Sequence, residues 1–305
     1  MAKALPLQIH PDRKLAERLH QQDPQKFGDT NHKPEIAVAL SQFELFAGWK
    51  PLNDLTLLFQ HKPLQRFMPS AHAHFNDETL RRVARNLLEA PENVVAETLN
   101  EVIKMPESAF GKYSYIPSML DRVRQQYSDF DNGNLIAVLC MNYMVLNPGD
   151  AVYIPADGIH AYLSGDIVEC MARSDNVLNT GFCPRAERDS VALFCEALSF
   201  WPHDPEEARL GKHPSDKAEN GKTVEYAPPI SEFNMLATHL GSGEKEKVQP
   251  INGPSIMIVI CGEGQLKAGG KTIDLKEGYV FFVGHGVGLE FESTKGLEVY
   301  RAYAE

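Results

Sequence analysis

Pro155-Ala-Asp157-Gly158-Ile-His160-Ala-Tyr162-Leu-Ser164-Gly165-Asp166-Ile167-Val-Glu169-Cys170-Met171-Ala172-Arg173-Ser-Asp-Asn176 is the stretch around which this 305-residue chain is organised. A turn at Asp157–Gly158 delivers His160 onto a strand, where His160 and Tyr162, two apart, point the same way. Ser164-Gly165-Asp166 turns the chain, and Ile167–Ala172 returns as a second strand with Glu169 inside it. A carboxylate there either faces a polar cavity, lies buried with partners, or belongs to a solvated face.

Working outward, two earlier segments carry polar side chains of the same kind. In Ala4–His10, Gln8 and His10 alternate with Leu7 and Ile9, so both project to one face of a strand; a half-exposed edge strand gives the same pattern. In Asn31-His32-Lys33-Pro34-Glu35, the proline pushes Lys33 into an extended conformation, so Lys33 and Glu35 face one side together. A surface ion pair of little energetic value is the plainer reading of those two residues.

The remaining pattern divides the chain. Residues 12–22 read as a helix ended by Pro24, and Ile36–Phe46 as an apolar strand. Residues 51–133 turn helical: Leu80, Val83, Ala84, Leu87 and Leu88 share one face, as do Val95, Leu99, Val102 and Ile103. Strands resume over Leu135–Leu146. Pro202–Thr223 reads as a polar loop, and Ile230–Glu305 alternates apolar strands with glycine turns, giving a second small barrel whose His285 is a turn residue. The expected boundaries are therefore 1–50 and 134–200 for the two parts of a first barrel, 51–133 for a helical insertion, 201–229 for a linker and 230–305 for a C-terminal barrel.

Net charge is −11, from 30 basic and 41 acidic residues, which argues against nucleic acid and anionic membranes as partners. An anionic substrate would then need a local cluster of cations. The five cysteines fall in no CxxC or zinc-type spacing and read as free thiols in a reducing cytosol. With no signal pattern and no apolar run near membrane length, the expectation is a soluble, cytoplasmic protein.

The run from His160 to Asn176 resembles the second motif of type I mannose-6-phosphate isomerases, a metal-dependent cupin family. Asn31–Glu35 is similar to that family's first motif, and Gln8-Ile9-His10-Pro11 to its Gln-x-His-Pro pair. The resemblance implies a mainly β fold with a helical insertion: two cupin-type jelly-roll β-barrels plus an α-helical domain. It implies one Zn2+ per chain, held by Gln8, His10, Glu35 and His160. The implied reaction interconverts mannose 6-phosphate and fructose 6-phosphate by moving a proton between C1 and C2 through an enediol. It gives proton handling to Glu169 and Lys33, substrate contact to Lys33, Tyr162 and Arg185, and a monomeric state.

Three departures from the family stand out. Asn179 occupies the place of an arginine assigned to catalysis, keeping a donor and losing the charge. Such a charge-assisted hydrogen bond contributes roughly 1.5–3 kcal/mol. Pro6 stands where the family has a phosphate-contacting serine, and the chain begins after the family's N-terminal segment with its Tyr-x-Trp-Gly motif. Two expectations follow. One is a working isomerase in which Arg185, Lys33, Arg173 or Arg188 supplies the missing charge. The other is a paralogue of the same fold that binds a different sugar, or none, in a regulatory role.

Overall fold

The structure is a computed structural model that describes residues 1–70, 73–230 and 232–305. Its first β unit is a sandwich of two open sheets rather than one closed barrel. Strands β1 (Leu7–Ile9), β2 (Glu35–Ala39), β3 (Phe43–Trp49), β4 (Met141–Leu146), β5 (Ala151–Ile154), β6 (His160–Ser164), β7 (Ile167–Met171), β8 (Leu178–Gly181) and β9 (Arg209–Leu210) build it. One sheet has the order β4-β3-β6-β1-β8 and the other β7-β2-β5-β9, with every pairing antiparallel. The apolar run expected as a single strand over Ile36–Phe46 is split between β2 and β3, because Leu40-Ser41-Gln42 turns the chain from one sheet to the other.

Helix α1 (Arg13–Gln22) starts at Asp12, whose carboxylate accepts from the Leu15 amide at 2.8 Å. Helices α2 (Leu52–Leu58), α3 (Asp77–Leu88), α4 (Glu92–Ile103) and α5 (Ile116–Gln126) lie between β3 and β4, as their periodicity predicts. Asn76 caps α3 through Thr79 N at 2.8 Å. The buried faces of α3, α4 and α5 join Leu7, Ile9, Phe46, Trp49 and Phe182 in one apolar cluster, so the helices and the five-stranded sheet share a core.

Leu135–Cys140 is not strand. Residues Asn132–Leu135 form a short α-turn capped by Asp131, and Ile136–Cys140 continue as a π-helix before β4 begins. Every residue of that run is buried, so its apolar character carries no periodicity that distinguishes helix from strand.

Strands β10 (Lys212–Pro214), β11 (Thr223–Tyr226), β12 (Asn234–Leu240), β13 (Lys245–Val248), β14 (Ser255–Ala268), β15 (Lys271–Lys276), β16 (Val280–Val283) and β17 (Leu289–Tyr303) form an eight-stranded antiparallel sheet. The polar stretch read as a loop thus contributes β9, β10 and the start of β11; its Lys, His and Pro residues occupy exposed or half-exposed edge positions. The outer faces of the two β units meet through Ile36, Val38, Ala151, Tyr226, Met235, Ala237 and Tyr300. No helix among the described residues is long and apolar enough to cross a membrane.

Candidate metal centre

Strand register brings the polar side chains together. Gln8 on β1 is the direct partner of His160 on β6 and of Asn179 on β8, and His160 is the partner of Ala47 on β3. Directly opposed residues share a face, so Gln8, His160 and Asn179 all point to the same side of the five-stranded sheet. Glu35 opens β2 in the opposing sheet, paired with Met171 and Ile154. His10 follows β1 and is held by its own amide, which donates to Ala156 O at 3.2 Å.

His10, Glu35 and His160 converge from these elements, all buried, with one ligand-capable atom of each within 4.8 Å of the others. His10 Nε2 lies 3.1 Å from Glu35 Oε1, and His160 Nε2 3.4 Å from Glu35 Oε2. Gln8 turns its amide to the same point, Nε2 lying 3.2 Å from His160 Nε2. Lys33 Nζ is 3.8 Å from Glu35 Oε1.

The far side of each imidazole fixes its tautomer. His10 Nδ1 donates to Asn176 O at 2.7 Å, and His160 Nδ1 donates to Gly158 O at 2.9 Å. A carbonyl only accepts, so both Nδ1 atoms carry a proton and both Nε2 atoms face the carboxylate. His10 Nε2 has no hydrogen-bond partner. A buried imidazole nitrogen aimed at a carboxylate oxygen needs a proton or a metal cation between the two. Burial favours neutral His10. Burial also opposes ionisation of Glu35, but the hydrogen bonds and charges of His10 and His160 outweigh it and hold the carboxyl well below the usual range. The same carboxylate raises His160 against its own desolvation. Two imidazole nitrogens and a carboxylate suit zinc, and Gln8 would add its oxygen as a fourth donor with its amide turned end for end, since Nε2 now faces His160. The residues therefore fit the metal.

Glu169 on β7 pairs with Ala37 and faces inward, on the side of the sheet that carries Glu35. Burial first, and the neighbouring Glu35 charge second, push its carboxyl up to about 7. The reading of Glu169 as part of a solvated face gives way to this arrangement. Tyr162 is 1% exposed, its hydroxyl 3.5 Å from Glu35 Oε2. Asn179 has a buried side-chain oxygen without a partner, while its backbone is fixed to Asp189 at 2.8 Å in both directions. Arg185 is 70% exposed and binds Glu92 on α4 at 2.7 Å. Arg188 is committed to Asp131 at 3.0 Å.

Sequence reasoning passed over Asn176 and Gly158, whose carbonyls orient the two imidazoles. Asn176 also ties the site together, its amide donating to Asp29 O at 2.9 Å and Asn31 O at 3.3 Å. The intact Ser174-Asp175-Asn176 run was the available signal, but a backbone carbonyl has no signature of its own in sequence.

Residues 1–52 match the phosphomannose isomerase type I catalytic domain, and residues 224–271 match the phosphomannose isomerase type I C-terminal domain. A mannose-6-phosphate isomerase of Candida glabrata is 34% identical over 99% of this chain and 76% of its own length. The chain belongs to the type I phosphomannose isomerase family. The Saccharomyces cerevisiae mannose-6-phosphate isomerase is 33% identical, again over 99% of this chain and 76% of the relative. The chain thus spans about three quarters of the length of these family members. Among solved structures, a phosphomannose isomerase variant from Salmonella typhimurium shares the fold with a TM-score of 0.81 at 22% identity, over 99% of this chain and 77% of that one. A zinc-bound mannose 6-phosphate isomerase structure also aligns at 0.81 and 22%, over 100% of this chain and 76% of that one. The alternative of a non-isomerase paralogue has no counterpart among these family members.

Proposed function

We propose that this chain is a zinc-dependent aldose–ketose isomerase that interconverts mannose 6-phosphate and fructose 6-phosphate. The observation that carries the reading is the convergence of His10, Glu35 and His160, with tautomers set for a cation, in a chain one third identical to mannose-6-phosphate isomerases over nearly its whole length.

His10, Glu35 and His160 hold the metal, and Gln8 completes the set. Zinc, when bound, polarises a sugar oxygen and offsets the negative charge that develops there. The rest is the work of side chains. Glu169, with its carboxyl pushed up to about 7, suits a group that takes a proton from one carbon and returns it to the next. Lys33, beside the Glu35 carboxylate, offers the positive charge nearest the cluster to an oxygen gaining charge, and it can pass a proton between the two sugar oxygens. Tyr162 offers a hydroxyl to the sugar from the same face as His160. The Asn179 amide supplies a neutral donor where the family has arginine. A substrate phosphate meets Arg185 only by drawing it from Glu92.

The test is formation of fructose 6-phosphate from mannose 6-phosphate by the purified chain, before and after chelation and with zinc restored. The reading expects turnover that disappears with the metal and returns with it. Absence of turnover by zinc-loaded, folded protein overturns it.

A further inference from the structure

A cavity of about 490 Å3 is lined by strand neighbours of the metal cluster, though not by the cluster's own side chains. Its wall includes Ala47, the cross-strand partner of His160, Ile154, the partner of Glu35, and Gly158, whose carbonyl holds the His160 ring. Trp201 also lines it and is 73% exposed, an unusual degree for the largest apolar side chain.

The backbone around Trp201 is pinned on both sides. Ser199 N donates to Asp157 O at 3.0 Å, and Ser199 O accepts from Trp49 Nε1 at 2.7 Å. His203 N donates to Trp49 O at 3.1 Å, and Asn142 Nδ2 donates to the carbonyls of both Trp49 and His203 at 3.0 Å. Phe200 stacks on Trp49, centroids 5.4 Å apart and planes 7° from parallel, with Arg81 on it at 4.3 Å. The segment is therefore a rigid mount that buries Phe200 and displays the next indole.

The polar side chains lining the cavity are Tyr153, Asp157, Ser199, His203 and Glu207, and among the described residues no lysine or arginine lines it. Two carboxylates without a cation repel a phosphate. An exposed indole facing hydroxyl acceptors suits a ligand with an apolar C–H face and an edge of hydroxyls. We propose that this cavity receives the uncharged, hydroxyl-bearing carbons of a hexose, with Trp201 as their stacking platform and the phosphate directed away from Asp157 and Glu207. The proposal rests on the isomerase reading for the identity of the sugar.

Only two tryptophans are present, and Trp49 is 1% exposed, so acrylamide quenching of intrinsic fluorescence reports Trp201. D-mannose and mannose 6-phosphate should each protect it from acrylamide, because the recognised part carries no phosphate. Trp201→Ala should raise KM by about three- to tenfold, with kcat within about twofold, the size expected for one aromatic contact. Unchanged quenching under mannose 6-phosphate concentrations that saturate turnover overturns the proposal, as does protection by the phosphorylated sugar alone. Mannose protection in a protein without turnover leaves this cavity assigned and removes the isomerase reading. The quenching measurement uses the wild-type chain and does not depend on the variant folding.

Discussion

Glu169 and Glu35 stand on one face of the four-stranded sheet, on neighbouring strands and two residues apart in register, because Glu169 pairs with Ala37 and Glu35 with Met171. Their environments set them apart: Glu35 is held well below the usual carboxylate range, while burial first and the Glu35 charge second push Glu169 up to about 7. Like charges this close in a buried site separate their titrations, which suits the proposed division in which one carboxyl binds the metal and the other exchanges a proton.

With Glu169 as the proposed base, the reaction starts from its deprotonated form, so kcat/KM should fall as pH drops through its pKa. A cation bound at Glu35 draws that pKa down, which places the acid limb at or below pH 7. Glu169→Gln should lose about 10²–10⁴-fold in kcat and lose the acid limb while keeping its zinc. A Glu169→Gln enzyme within tenfold of wild type, on the order of 1.4 kcal/mol, would show that the proton moves elsewhere.

Asn179 lies beside Gln8 with an unpartnered side-chain oxygen. Asn179→Arg restores the charge that the family places there. If that charge acts in the transition state, kcat should rise on the order of ten- to a hundredfold. Steady-state kinetics on mannose 6-phosphate measures this, and an unchanged or lower kcat contradicts it.

A half-buried carboxylate away from the metal centre serves stability rather than chemistry. Glu44 on β3 accepts a bidentate pair from Arg122 on α5 at 2.8 and 2.6 Å, together with the Tyr143 and Ser164 hydroxyls. Arg122 first, and those hydroxyls with it, hold the carboxyl down at about 2 against their combined desolvation. Its folded pKa is below the unfolded one, so its contribution is full above about pH 4.5 and lost as pH falls toward 2. Glu44→Gln should cost about 1–2 kcal/mol at pH 7, allowing for partial solvent screening, and nothing near pH 2. Urea unfolding at the two pH values distinguishes these outcomes.

The His10–Glu35–His160 convergence was legible because the proposed ligands sit in uninterrupted runs: Gln8–Pro11, Asn31–Glu35 and His160–Asn176. The direction of Glu169 was not, since only its pairing with Ala37 turns it inward. Nor was the π-helix at Ile136–Cys140, where burial on all sides removes any amphipathic period. Residues 209–226 hid their strands behind Lys, His and Pro because those strands lie half in solvent.

Lys50 shows another feature that composition conceals. It is fully buried, donating to Val138 O at 3.0 Å and to Met141 O, with Tyr113 and Tyr115 rings 5.1 and 5.8 Å away. Burial lowers its pKa to about 7. The unfolded chain binds more protons than the folded one between about pH 7 and 10.5, so stability rises with pH across that window. Lys50→Met should flatten the rise, raising Tm more at pH 6 than at pH 10 relative to wild type. Equal shifts at both pH values contradict the buried-charge assignment.

Metal content tests the central claim most directly. Elemental analysis of the purified 305-residue chain after zinc loading and desalting should give one zinc per chain. Glu35→Gln and His160→Ala, shown to be folded by circular dichroism, should bind essentially none. Wild-type protein that is folded and takes up no zinc, or variants that retain it in full, would contradict a centre built from His10, Glu35 and His160.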